Sequence, residues 1–323
     1  MPQVPRVVRN VDNDGAPYLH LAAQALTLNQ TALRYGCDLI HGPVYFGPVY
    51  GSVPTVITVL DLMWWEHPSL TGFEGVGRHG WNLLTRLAVR HARRVVTISE
   101  AAKSDIERLL GLAPGKIDVT LLGGSGSSRV IPRAEPALRQ ELGLGGKRVL
   151  LCVAQKRPHK NHETVIRALT RLPEDVVLVA PGADDGYGRN LARLAEGLGV
   201  GDRVRMLEWV DEPTLEGLYA LAELVVQMSL MEGFGLPALE AMQRNVPVIV
   251  SDTPALAEVV SGSGLVIPAL DNDALAHAIR EVLLNTELSG ELRANGRERA
   301  AELTWDRTAS ETVMTFEAAL RRI

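Results

Sequence analysis

Residues 227–253 read QMSLMEGFGLPALEAMQRNVPVIVSDT, and the order of residue types there decides the fold. An apolar run ends at Met228. A glycine-containing loop follows, then a helical segment, then a second β-branched run, VPVIV. Gly233 and Gly235 permit tight backbone approach and unusual dihedrals. Pro237 suits a first helical turn, where its missing N–H would be unpaired anyway. The amides of Phe234, Gly235 and Leu236 then face outward beside the positive end of a helix, a site suited to a diphosphate. Glu232 precedes the helix and Glu240 lies about one turn inside it. Across a loop-to-helix junction both can reach one ligand that curls over the helix end. An ionised carboxylate only accepts hydrogen bonds, so its natural targets are sugar hydroxyls.

Outward from this stretch, short apolar runs alternate with segments of helical period. The runs are 148–154, 176–180, 204–207, 224–228, 246–250 and 265–267. The helical segments include 163–172, 191–198, 214–222, 236–244, 254–260 and 272–284. Runs apolar on both faces and separated by helices predict parallel strands buried between helix layers. Such a doubly wound α/β sheet binds ligands beyond the carboxyl ends of its strands, where strand order reverses. Lys160 follows the first of these strands and opens on the same edge as Glu232. A cation there would stabilise charge building on a departing diphosphate.

The first half is less regular. Strands are expected at 6–8, 37–41, 54–60, 94–99 and 119–122, with helices at 80–91 and 100–110. Residues 123–128 and 133–136 are rich in Gly, Ser and Pro and form the natural linker. The expected division is a first domain over 1–128, a second over 129–304, and a terminal helix over 305–323 that returns to the first.

The 323 residues favour two domains. A formal net charge of -5 argues against nucleic-acid binding, which needs a basic face. Cys37 and Cys152 lack metal-ligand spacing and read as reduced thiols. No apolar run of about 18 residues appears, so a cytoplasmic protein is expected, with contact at the inner membrane face left open. Gly123, Gly124 and Gly126 imitate a dinucleotide fingerprint, but Pro132 stands where that motif needs a helix. The triplets Asp12-Asn13-Asp14 and Asp271-Asn272-Asp273 read as a turn and an N-cap, and no metal site is expected.

With these residues in view the sequence resembles glycosyltransferase family 4, retaining enzymes of GT-B architecture with two facing Rossmann-like domains. The resemblance rests on VAQKRPHKN (153–161), SLMEGFGLPALEAM (229–242), VPVIVSDTPALAEVV (246–260) and VVTISEAAKSDIERL (95–109). It implies that Glu240 holds the donor ribose and Glu232 the donor sugar. Gly233, Phe234, Gly235 and Leu236 would hold phosphate and sugar, and Lys160 would pair with the diphosphate. The loop after the fourth strand, about 208–210 and including Val210, would contact the base. A nucleoside-diphosphate hexose as donor, GDP-mannose favoured, and a glycan or lipid-linked acceptor follow from the same resemblance, with neither cofactor nor metal.

Three features depart from the family pattern. Gln155 occupies the slot of a phosphate-binding arginine, for which Arg157 or Lys156 could substitute. The usual His-Asp-Leu is Leu60-Asp61-Leu62, so Asp61 is kept as a catalytic candidate and His67 is a stand-in for the missing histidine. The opening strand and glycine-rich loop are not found at MPQVPRVVRN, so the first domain reads as lacking its first βα unit. These departures keep a non-catalytic nucleotide-sugar-binding protein, or a remnant of such an enzyme, open beside the enzyme. Finally, 75–94 carries five arginines and no acid among Trp81, Leu83, Leu84 and Leu87. A basic amphipathic helix of this kind can lie on an anionic membrane or receive a phosphorylated acceptor.

Overall fold

The computed structural model describes residues 17–71, 76–125 and 130–321. The first part runs α1 (Pro17–Arg34), β1 (Ile40–Gly42), β2 (Thr55–Thr58), α2 (Met63–Glu66), α3 (Pro68–Thr71), α4 (Val76–His91), β3 (Arg94–Thr97), α5 (Glu100–Leu110) and β4 (Ile117–Val119). Then come α6 (Glu135–Glu141), β5 (Arg148–Leu151), α7 (His162–Leu169), β6 (Val176–Pro181), α8 (Gly188–Gly197), β7 (Val204–Leu207), α9 (Glu212–Leu221) and β8 (Ala222–Gln227). The chain ends with α10 (Leu236–Gln243), β9 (Val248–Ser251), α11 (Pro254–Val260), β10 (Leu265–Ile267), α12 (Asn272–Leu284), α13 (Thr286–Glu302) and α14 (Trp305–Leu320).

Two parallel sheets result. The first has order β1-β2-β3-β4 and the second β10-β9-β8-β5-β6-β7. In the second sheet β5, β6, β8 and β9 are buried almost throughout, as strands covered by helices on both faces must be. The chain leaves β5 towards β6 and β7, then returns to place β8 on the other side of β5. The order therefore reverses between β5 and β8, and the loops beyond their carboxyl ends border a ligand crevice.

The two parts are joined twice. Residues 121–125 cross in one direction and 303–305 in the other, and the crossings touch. A Cβ on Gly123 would lie 2.2 Å from the backbone nitrogen of Trp305. The Gly124 amide donates to the Leu303 carbonyl at 3.4 Å. Helix α14, N-capped by Thr304, packs on β2 and β3 of the first sheet, where Ala319 is buried beside Val56 and Val96.

Several sequence expectations are corrected. The strand expected at 37–41 is shorter and lies later, at Ile40–Gly42, and that at 119–122 lies earlier, at Ile117–Val119. Two long helices, α1 and α13, were not foreseen at all. The loop at 208–210 follows the third strand of its sheet in chain order, β7, and not the fourth. Strand 6–8, Asp12-Asn13-Asp14 and Gly126 lie outside the described residues. Asp271 is the N-cap of α12, its carboxylate accepting from the amides of Asp273 and Ala274. Cys152 is buried, and burial pushes its thiol up to about 12, which makes it inert.

Candidate active site

The loop after β5 and the loop after β8 are laced together by the polar residues of VAQKRPHKN. After a 3-10 turn at Pro158–Lys160, Asn161 takes a left-handed conformation, which asparagine tolerates better than most side chains. Its amide donates to the carbonyls of Met228 at 2.9 Å and Ala269 at 2.7 Å. The Leu230 amide returns a bond to the His159 carbonyl at 2.7 Å. Ser251 Oγ donates to the Ser229 carbonyl at 2.6 Å. The loop that carries Glu232 is thus held from three sides before any side chain of the site is counted.

Within this frame Lys160 Nζ meets Glu232 Oε1 at 2.6 Å. The same oxygen accepts from Gln227 Nε2 at 2.7 Å and Ser229 Oγ at 3.2 Å. The two charged side chains are only 18% and 10% exposed, so the pair is shielded from bulk water and its orientation is fixed. Gly235 caps α10 at φ +119, and a Cβ there would lie 2.5 Å from Leu256 Cδ2, so glycine is required on two counts. Phe234 turns its ring into the core, which leaves the 234–236 backbone at the open end of α10.

Glu240 is held apart from this pair. Its Oε2 accepts from the buried Tyr219 hydroxyl of α9 at 2.9 Å. The Arg244 guanidinium lies 4.7 Å over the Tyr219 ring and forms an ion pair with Glu216. The same guanidinium donates to Ser125 Oγ at 3.2 Å, on the crossing between the two parts. Glu240 therefore stands one turn along α10 with a fixed carboxylate.

The first part supplies the opposite wall of a cavity of about 650 Å³. Asp61 lines it, with Oδ1 accepting the Met63 amide at 3.1 Å. A Cβ on Gly233 would sit 3.1 Å from Asp61 Oδ2, so the two loops meet face to face. Burial pushes the Asp61 carboxyl above the usual carboxylate range; the Met63 amide opposes this and the Glu232 charge adds to it. Ser99 Oγ closes the contact by donating to the Gly233 carbonyl at 2.9 Å.

The structure thus brings Asp61, Lys160, Glu232, Gly233, Phe234, Gly235, Leu236 and Arg157 to one cavity. Glu240 and Val210 do not line it. Val210 packs against the core beside β7, next to Trp209, whose indole is 81% exposed. Of the two substitutes for the missing arginine, Arg157 faces the cavity with its guanidinium paired to Asp185. Lys156 does not serve: it is 1% exposed, with Nζ donating to the carbonyls of Gly182 and Leu207. His67 is an exposed residue at the end of α2 that does not line the cavity, so it is no stand-in for the histidine. Gln227, Ser229, Tyr219 and Ser99 were missed by the sequence reading. Only Ser99 carried a signal, as the N-cap before the helix at 100–110.

The basic segment also changes meaning. Arg86 lies over Trp65 and donates to the Leu109 carbonyl, Arg93 donates to the Ala319 carbonyl, and Arg94 pairs with Asp118. Three of its five arginines are therefore engaged by the chain itself.

Comparison with known proteins decides what this arrangement belongs to. The profile of "Glycosyl transferases group 1" matches residues 134–299, and that of "Glycosyltransferase Family 4" matches residues 2–123. The chain belongs to this glycosyltransferase family. It is 29% identical over 274 residues to MMP alpha-(1->4)-mannosyltransferase of Mycolicibacterium hassiacum, covering 83% of this chain and 63% of that one. It is 32% identical over 234 residues to O-antigen chain mannosyltransferase B of Escherichia coli, covering 70% and 61%. The chain spans about three fifths of the length of these curated relatives. Among solved structures, sucrose-phosphate synthase from Thermosynechococcus elongatus superposes with a TM-score of 0.77 at 22% identity, covering 98% of this chain and 86% of that one. The Anabaena protein HepE in complex with UDP gives 0.72 at 22%, covering 91% and 81%. These likenesses show the GT-B fold of the glycosyltransferase family: two facing Rossmann-like domains with the cavity between them.

Proposed function

We propose that the protein moves a hexose from a nucleoside-diphosphate sugar to a hydroxyl of a glycan or lipid-linked acceptor, with retained anomeric configuration. The observation that carries this reading is the shielded Lys160–Glu232 pair beside the open end of α10 at the switch point of the second sheet. The diphosphate docks on the 234–236 amides, where the helix end favours negative charge. Lys160 turns from Glu232 to the departing phosphate, and Glu232 then orients the sugar hydroxyls. The acceptor oxygen bonds to the anomeric carbon as the bond from that carbon to the diphosphate breaks. The nucleoside diphosphate leaves with the electron pair and takes the acceptor proton. Helix and lysine neutralise the leaving group, so the transfer needs neither metal nor cofactor. Asp61 reaches the reacting centre from the opposite wall. Glu240 accepts from the ribose, and the base lies along 208–210, where Trp209 offers an exposed aromatic face. The mannosyltransferase names among the relatives favour GDP-mannose as donor.

Thermal stabilisation by GDP, UDP, ADP and dTDP tests the donor half, in the parent and in Glu240→Ala. A ligand at about 100 times its Kd adds roughly 2.7 kcal/mol of stability. One nucleotide should stabilise the parent, and the variant should bind it about 1.5–3 kcal/mol more weakly. Equal affinity in both removes the ribose assignment, and no stabilisation of the parent removes the donor site. The anomeric signal of the product by NMR decides retention against inversion.

Peripheral membrane contact belongs to the same proposal, on a narrower basis than the segment's charge. Helix α4 exposes Leu83 at 57% and Leu87 at 41%, beside the exposed Arg90. No described helix is long and apolar enough to cross a membrane. Sedimentation with phosphatidylglycerol vesicles should be lost in Leu87→Glu; a parent that stays in solution ends this reading.

A further inference from the structure

The wall that faces the donor side is aromatic, and its construction is specific. Gly42 ends β1 where a Cβ would lie 1.8 Å from the Phe46 carbonyl oxygen, so the chain can fold back there only at a glycine. The turn is fixed by the Tyr45 amide on the Thr58 carbonyl at 2.8 Å and the Phe46 amide on the Val44 carbonyl at 2.6 Å. Tyr45 sits at φ +56, a conformation that a bulky residue adopts at a cost and that marks a constrained position. The turn brings the Tyr45 ring to the cavity. Tyr45 meets Trp64 edge-on at 4.5 Å, and Phe46 meets Trp81 edge-on at 4.2 Å. Trp64 is held by a bond from its Nε1 to Asn82 Oδ1 at 3.1 Å. Tyr45, Trp64 and Trp81 all line the cavity, with Tyr45 and Trp81 half-buried.

Charge separates the candidate ligands. The fixed cations that line the cavity, Arg157 and Lys160, both stand on the second domain. On the first domain the one charged side chain among the described lining residues is Asp61. A phosphate on the acceptor moiety would find no counter-charge among the described lining residues of this wall and would be repelled by Asp61. A bare prenyl chain would strip water from that carboxylate without returning a hydrogen bond, which is costly. A pyranose satisfies both kinds of surface: its C–H face lies on aromatic rings and its hydroxyls donate to the carboxylate.

We propose that Tyr45 and Trp81, backed by Trp64 and Phe46, form the platform of the acceptor subsite, and that the moiety entering it is an uncharged pyranose whose reacting hydroxyl is held at Asp61. This rests on the donor reading above, and the test separates the two. Binding of the stabilising nucleoside diphosphate is measured first, in the parent, Trp81→Ala, Trp81→Tyr and Tyr45→Ala, with melting curves to show that each folds. Hexose transfer is then measured with methyl α-mannoside, methyl α-glucoside and methyl α-galactoside, and with farnesyl phosphate. The expected result is transfer to at least one pyranoside, with acceptor KM raised about tenfold in Trp81→Ala and in Tyr45→Ala. Trp81→Tyr recovers most of this loss, and nucleotide Kd stays within about twofold throughout. The assignment is overturned if farnesyl phosphate accepts the hexose and no pyranoside does. It is overturned equally by a parent that transfers to none of them, or by an unchanged acceptor KM in both alanine variants. A parent that binds no nucleoside diphosphate fails the donor reading before any acceptor is added, and this subsite falls with it.

Discussion

Lys156 and Lys160 stand four positions apart in one loop and are put to opposite uses. Lys160 reaches the cavity and pairs with Glu232. Lys156 turns inward, where its ammonium bridges the carbonyls that follow β6 and end β7. Those carbonyls belong to the edge from which 208–210 departs, so the buried cation sets the position of that loop. Replacing it with methionine keeps the volume and removes the donors. Lys156→Met should cost about 3 kcal/mol, the scale of charged hydrogen bonds lost from buried acceptors. Urea unfolding measures this, and a loss under about 1 kcal/mol would show that the carbonyls are met in another way. The pair Glu232 and Lys160 was legible because a glycine-rich loop and a strand-end lysine have few other uses at that edge. Lys156 was not. Spacing says which residues share an edge, and only packing says which of two neighbouring lysines is swallowed by it. Gln227, Ser229 and Tyr219 were equally silent, since each is an ordinary residue of a strand, loop or helix until the fold brings it to a carboxylate.

Helix α7 carries a cost that the sequence does not advertise. His162 opens it fully buried, and neither ring nitrogen has a hydrogen-bond partner. Burial, and after it the charges of Lys156, Lys160 and His159, push this imidazole down to about 4. The unfolded chain holds its proton near the ordinary value of about 6.5, so between these limits the unfolded state binds more protons than the folded one. Stability is therefore full above about pH 6.5 and falls as pH drops towards 4. Between pH 7 and pH 5 the loss from this group should be about 2 kcal/mol. Urea unfolding at the two pH values measures it, with His162→Leu as the control that lacks it; an equal acid loss in both proteins would assign the effect elsewhere. The elements themselves were unevenly readable. The strands of the second sheet were visible as β-branched runs, because a sheet covered on both faces must be apolar throughout. Helix α13 was invisible: its buried residues are Leu292, Gly296 and Ala300, a stripe too small to stand out among its charges. Helix α1 hid for a related reason. It buries Ala25, Asn29 and Ala32 while exposing Leu26 and Leu33, and Asn29 earns its place by accepting the amides of Ser52 and Val53.

At the scale of the molecule, the site is complete only where the two domains meet. Asp61 faces Gly233, Ser99 bonds to its carbonyl, and the Glu100 amide donates to Glu258 at 2.9 Å across the same boundary. What sets this placement is the pair of crossings at 121–125 and 303–305. The Gly, Ser and Pro content of 123–128 suggests a linker there, but that composition gives no hint that the returning segment at 303–305 rests on Gly123 and Gly124. Gly123 lies against the backbone of Thr304 and Trp305, so an added methyl group cannot be relieved by rotating a side chain. Gly123→Ala must separate the crossings. Overpacking of this kind costs about 1–3 kcal/mol. The larger consequence is geometric, since a misplacement of about 1 Å between reacting groups can reduce turnover about a hundredfold. The residues proposed to hold the donor, Lys160, Glu232 and Glu240, all lie on one domain, where Lys160 pairs with Glu232 and Tyr219 holds Glu240. Nucleotide-dependent thermal stabilisation should therefore survive in Gly123→Ala while hexose transfer falls. Parental transfer in this variant would mean that the domains find their placement through Ser99 and Glu258 alone. Loss of nucleotide binding along with transfer would mean that the crossing, through Ser125 and Arg244, supports Glu240 as well.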